Sequence, residues 1–78
     1  GLSIKYGVTT PTLDEAVIKQ AMIDATSQVY LLVDESKFSQ VYSSVICSLD
    51  ELDYIITNNE RPEEEVEYYE KCGIKVLT

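Results

Sequence analysis

Residues 53–77, DYIITNNERPEEEVEYYEKCGIKVL, decide the fold. Tyr54-Ile-Ile56 is an apolar run closed by the polar stretch Thr57-Asn-Asn-Glu60, which predicts a buried strand over 53–57. Pro62 suits the first position of a helix, and Glu63, Glu64 and Glu65 suit the positive end of its dipole. The helix is expected over 62–72, with Val66 and Tyr69 turned inward. Gly73 fits the position just past a helix end, where φ turns positive, and residues 74–77 then form a short strand. Strand, helix and strand at this spacing make a βαβ unit, which requires parallel strands and a right-handed crossover.

Working outward, residues 28–34 give another strand. The apolar run Val29 to Val33 stops at Asp34, and a polar turn holding Glu35, Ser36 and Lys37 follows. Further back, Thr12-Leu-Asp-Glu15 is a capping box and opens a helix expected over 12–25. Leu13, Val17, Ile18, Ala21, Met22 and Ala25 make one broad apolar stripe on it, with Met22 as core filler. Residues 41–48 mix Val, Tyr, Ser and Ile and suit an extended segment or short edge strand. Ser48-Leu-Asp-Glu51 is a second capping box, opening about one helical turn. Residues 1–11, punctuated by Gly1, Gly7 and Pro11, are expected to be an opening loop.

The fold class that follows is α/β: a parallel sheet with flanking helices. Parallel sheets bury both faces, and two helices are few to cover three such strands. Further structure or a second copy of the chain is expected to supply the cover, so self-association to a homo-oligomer is expected.

At 78 residues the chain is one small domain or a piece of a larger one, and 45% apolar composition makes it globular. A net charge of −8 argues against direct contact with nucleic-acid backbones. Much of the acid lies between Glu60 and Glu70 and reads as a solvated helix face. There is no histidine, and Cys47 and Cys72 lack CxxC spacing. No metal site, Cys–His nucleophile or cofactor is expected, and two free thiols fit a reducing cytoplasm. No apolar run is long enough to span a bilayer, and no signal peptide is present, so no membrane contact is expected. The chain opens at Gly1 without methionine, which fits a processed or cloned fragment.

In an open α/β sheet, ligands bind outside the carboxyl ends of the strands. At the end of 28–34, Ser36 offers a hydroxyl donor and Lys37 a compact charge with three donors, a pairing suited to phosphate. Asp34 beside them suits either a supporting contact or a turn cap. Thr57 and Asn58, at the end of 53–57, suit either a loop or a ligand contact. Tyr30, Tyr54, Tyr68 and Tyr69 read as core or half-buried packing. Glu63, Glu64 and Glu65 form no acid–base pair, because consecutive helix positions point to different sides.

The order of motifs is similar to the C-terminal sensor domain of the DeoR family of bacterial transcriptional regulators. The matching residues are Glu15-Ala16, Lys19 and Ala21-Met22, then Val33-Asp-Glu-Ser-Lys-Phe38. Leu49-Asp-Glu-Leu-Asp53, Ile55-Ile-Thr57 and Gly73-Ile-Lys-Val76 complete the match. Asp34-Glu-Ser-Lys37 followed at this distance by Ile55-Ile-Thr57 is the specific part. The resemblance implies a partial three-layer, Rossmann-like fold shared with ribose-5-phosphate isomerases. It implies that residues 1–78 are the later part of the sensor domain, without the DNA-binding domain. It also implies a phosphorylated sugar as effector in the intact protein, bound by Ser36 and Lys37, and a role that is not enzymatic. A second function class is a fragment of a sugar-phosphate isomerase-like enzyme, which would need a positioned acid–base group, and a third, compatible with the sensor, is an oligomerisation module whose uncovered sheet faces pair with another copy. Two positions depart from the family pattern: Asn58 stands where an Asp is usual, and Ser39 where a Gly is usual.

Overall fold

A computed structural model describes residues Gly1–Thr78 in full. The strands are β1 (Leu2–Ser3), β2 (Gly7–Thr10), β3 (Tyr30–Leu32), β4 (Ser44–Cys47), β5 (Tyr54–Ile56) and β6 (Lys75–Leu77). The helices are α1 (Leu13–Asp24) and α2 (Glu63–Lys71), and single 3-10 turns occupy Glu35–Lys37 and Leu49–Glu51.

The parallel sheet is ordered β3-β5-β6. Tyr30, Leu31 and Leu32 lie level with Tyr54, Ile55 and Ile56, and these with Lys75, Val76 and Leu77. The βαβ unit of residues 53–77 is therefore present, with β5 in the centre of the sheet. Its helix ends as the sequence implies. Gly73 has φ 86, its N–H donates to the Glu70 carbonyl, and the Ile74 N–H donates to the Tyr69 carbonyl, both at 3.0 Å. These two bonds make a Schellman ending. At the other end Pro62 precedes the helix rather than occupying its first turn. Its ψ of 140 is extended, and its carbonyl accepts from Glu65 and Val66.

The opening loop expected over 1–11 is instead a hairpin. Leu2 pairs with Val8 and Ser3 with Gly7, and Gly7 makes the reversal possible at φ 75. β2 then pairs antiparallel with β4, with a bulge between Val8 and Thr9, giving a second sheet ordered β1-β2-β4. The segment over 41–48 is thus the edge strand the sequence suggested. The sheets meet where Ser39 N–H donates to the Leu2 carbonyl at 2.7 Å and Leu2 bridges to Phe38.

One buried cluster joins both sheets and contains Leu2, Val8, Ala16, Phe38, Ile55, Tyr69 and Ile74. α1 packs on β2 and β4, and α2 packs on β6. The expected apolar stripe of α1 is not buried. Ala16 alone is fully covered, while Val17, Ile18 and Met22 are each more than half exposed, so Met22 is not core filler. The capping box at Thr12 is half formed. Thr12 accepts from the Glu15 N–H at 3.4 Å, but the Glu15 carboxylate takes the Thr10 hydroxyl at 2.6 Å.

β3 is covered on one side only. Leu31, Ile55 and Val76 point toward the core. On the opposite face Tyr30, Leu32 and Leu77 are exposed, Leu32 at 76%. The Tyr30 and Tyr54 rings stack on this open face, 4.4 Å apart and 4° from parallel. Of the four tyrosines expected as packing, Tyr69 is buried and Tyr54 half-buried, while Tyr30 and Tyr68 are exposed. A parallel sheet exposing an apolar face is the shortage of cover that two helices imply.

Candidate functional site

The site is built where β3 ends. Val33 N–H still donates to the Ile56 carbonyl at 2.9 Å, holding the end of β3 beside the end of β5. Asp34 then caps the turn: its carboxylate accepts the Ser36 N–H at 3.1 Å and the Ser36 hydroxyl at 2.6 Å. The Lys37 N–H closes on the Asp34 carbonyl at 3.1 Å. Asp34 thus takes the capping role its side chain favours, and the Ser36 hydroxyl donates to Asp34 rather than outward.

Two side chains anchor the turn to its surroundings. Glu35 accepts from the Asn59 side chain at 3.0 Å, tying the turn to the loop after β5. Phe38 is buried, and the Arg61 guanidinium lies 4.0 Å over its ring. Arg61 is itself held by two hydrogen bonds to Glu65, at 2.7 and 3.0 Å, and these raise its pKa. The sequence alone assigns no such role to Asn59 or Arg61. Their signal was weak: only the Arg61–Glu65 spacing of four is legible without the fold.

Lys37 lines an open groove of about 660 Å³ between the two sheets. Its walls come from Gly1–Leu2, β2, the α1 residues Lys19, Met22 and Ile23, and Gln28–Val33, with Ile46, Cys47 and Leu52 completing them. Part of this wall is the hairpin, whose pairing no local sequence signal marks. Asp34, Thr57 and Asn58 line an adjoining shallow cleft of about 500 Å³, together with Leu32, Val33, Ile56 and Thr78. The two depressions share Leu32 and Val33. Ser36 lines neither of them.

Charge in the groove is set by burial and by neighbours. The Cys47 thiol is pushed up to about 11, chiefly by burial and then by Glu51 and Asp50. A thiol held protonated is a poor nucleophile. Burial, with Glu65 second, also raises the Tyr69 hydroxyl. No group of three or more His, Cys, Asp or Glu side chains is clustered to hold a metal ion. No helix is long and apolar enough to cross a membrane.

Comparison with known proteins agrees with this architecture. Residues 1–59 match the family described as the DeoR C terminal sensor domain. The chain is 33% identical over 76 residues to the HTH-type transcriptional regulator GlpR of Haloferax volcanii, covering 97% of the chain and 30% of that protein. It is 34% identical over 77 residues to the uncharacterized HTH-type transcriptional regulator FruR of Bacillus subtilis, covering 99% of the chain and 30% of that protein. A putative aga operon transcriptional repressor of Escherichia coli O157:H7 is 26% identical over 76 residues, covering 97% of the chain and 28% of that protein. The chain therefore spans less than a third of the length of these relatives.

Proposed function

The chain belongs to the DeoR C-terminal sensor-domain family, and on that premise we propose that it is the effector-sensing part of a transcriptional regulator of sugar metabolism, with a phosphorylated sugar as the effector. The observation that carries this reading is the placement of Lys37. It follows the carboxyl end of a parallel strand, on a turn fixed by Asp34, and lines the large groove. Ser36 belongs to the same turn, and its hydroxyl is free to reorient toward a phosphate if the bond to Asp34 opens. Asp34, Thr57 and Asn58 line the adjoining cleft and are placed to support the remainder of such a ligand.

The alternative, a fragment of a sugar-phosphate isomerase-like enzyme, needs an acid–base group set against the substrate. No carboxylate lines the large groove, the carboxylate of Asp34 in the adjoining cleft is engaged by the Ser36 N–H and hydroxyl, and the curated relatives are named as regulators. Both features favour sensing over catalysis.

Two further elements belong to the proposal. The open face carrying Tyr30, Leu32 and Leu77 supports association with a second copy, since apolar faces of this kind seek cover. The charge of −8 supports leaving DNA contact to another part of the polypeptide, with the whole acting in the cytoplasm.

The test is a calorimetric titration of the full-length polypeptide with pentose and hexose monophosphates, with release of operator DNA followed in parallel. Lys37→Ala should weaken effector binding by about 1.5–3 kcal/mol, the range for hydrogen bonds to charged groups. A Lys37→Ala protein that binds and releases DNA like wild type would remove the site assignment.

A further inference from the structure

The chain carries fourteen acidic and six basic residues, yet no Asp or Glu lines the large groove, while Lys19 and Lys37 both do. The groove is a locally positive concavity in a strongly acidic protein. Neither lysine has an acidic partner, because the only ion pair in the structure is Arg61–Glu65. Lys37 comes from the turn after β3 and Lys19 from α1, so the two charges reach the groove from separate elements.

We propose that Lys19 is a second cation for the anionic group of the ligand, acting with Lys37 to bind a phosphorylated small molecule in this groove. This rests on the phosphorylated-effector reading above and adds a residue to it. The physical reason is that two unpaired ammonium groups beside one concavity each offer a charge and three donors to the same ligand. A phosphate, with charge near −2 and several acceptor oxygens, can take donors from both. A cleft with low-dielectric walls and one sign of charge also concentrates counter-ions. Glu15, four positions before Lys19 on α1, is held by the Thr10 hydroxyl rather than by Lys19.

The test uses the full-length polypeptide with inorganic phosphate and with pentose and hexose monophosphates, by calorimetry at two salt concentrations. Lys19→Gln keeps most of the apolar stem on α1 and removes the charge. It should weaken binding by about tenfold or more, as Lys37→Gln does, and should reduce the salt dependence of binding. Lys19→Arg should restore most of the affinity, and Lys5→Gln, outside the groove, should change nothing. If Lys37→Gln weakens binding and Lys19→Gln matches Lys5→Gln, this inference is overturned and the sensing proposal stands. If inorganic phosphate binds through Lys19 and sugar phosphates bind no better, the sugar reading falls and the anion site stands. Binding of neither ligand to wild type overturns both. Should Lys19→Gln fail to fold, Lys19→Arg decides: a well-folded Arg variant with lost binding counts against a simple charge role.

Discussion

The carboxylate of Asp53 accepts the backbone N–H of Val29 at 2.7 Å. The bond closes the start of β3 onto the start of β5, and the Val29 carbonyl accepts in return from the N–H groups of Asp53 and Tyr54. Asp53 therefore helps set the register that brings Val33 level with Thr57, and Asp34 into one cleft with Thr57 and Asn58, at the far ends of the same strands.

Asp53→Ala should destabilise the domain by about 1.5–3 kcal/mol, because it leaves the Val29 N–H without its charged acceptor. Asp53→Asn keeps an acceptor and should cost less. Urea unfolding followed by circular dichroism measures both, and equal losses for the two would show that the hydrogen bond is not what matters.

The two glycines with positive φ should respond differently. A Cβ on Gly7 would run into the Cys47 carbonyl and the Ser48 backbone, whereas a Cβ on Gly73 meets nothing within 4 Å. Gly73→Ala should cost about 1 kcal/mol of backbone strain, and Gly7→Ala at least twice that, since β2 must also separate from β4. Thermal unfolding of the two variants in one buffer gives the ranking. A Gly7→Ala protein as stable as Gly73→Ala would mean that the hairpin adjusts freely.

Ser39 has φ 63, the left-handed region that favours glycine, at the position where the family usually has that residue. Ser39→Gly should stabilise by up to about 1 kcal/mol, the relief of αL strain less the greater freedom of glycine in the unfolded chain. A shift of the urea midpoint to higher concentration is expected. A clear loss of stability would reveal a role for the Ser39 hydroxyl.

Cys47 makes stability fall in alkali. Its thiol stays protonated to about 11 when folded and titrates near 9.0 when not. Between those values the native state holds the proton that the unfolded state has lost. Its contribution is whole below pH 9 and declines as pH rises toward 11. The urea midpoint of wild type should drop more steeply over this interval than that of Cys47→Ala. At pH 8 an aromatic disulfide reagent should react first with Cys72, because Cys47 is buried and Cys72 is half-buried.

What the sequence determined by itself is local. Pro62, the glutamates after it and Gly73 punctuate α2 within a few residues of one another, and the apolar runs at 29–33 and 54–56 declare two strands of the parallel sheet. Asp34 and Lys37 are legible for the same reason, since a turn that ends such a strand is a short-range signal. The hairpin of residues 2–10 was not legible. Its strands are short and lack a clean alternation of apolar and polar residues, and β2 finds its second partner, β4, some 35 residues later in the chain. Burial is not legible wherever it depends on what lies opposite. The stripe on α1 and the outer face of β3 have the pattern of covered surfaces, but amphipathicity states only that a face is apolar, not that a neighbour exists. The groove belongs wholly to the tertiary structure. Lys19 and Lys37 are eighteen positions apart, and only the packing of α1 on the antiparallel sheet, beside the end of β3, brings their charges to one concavity.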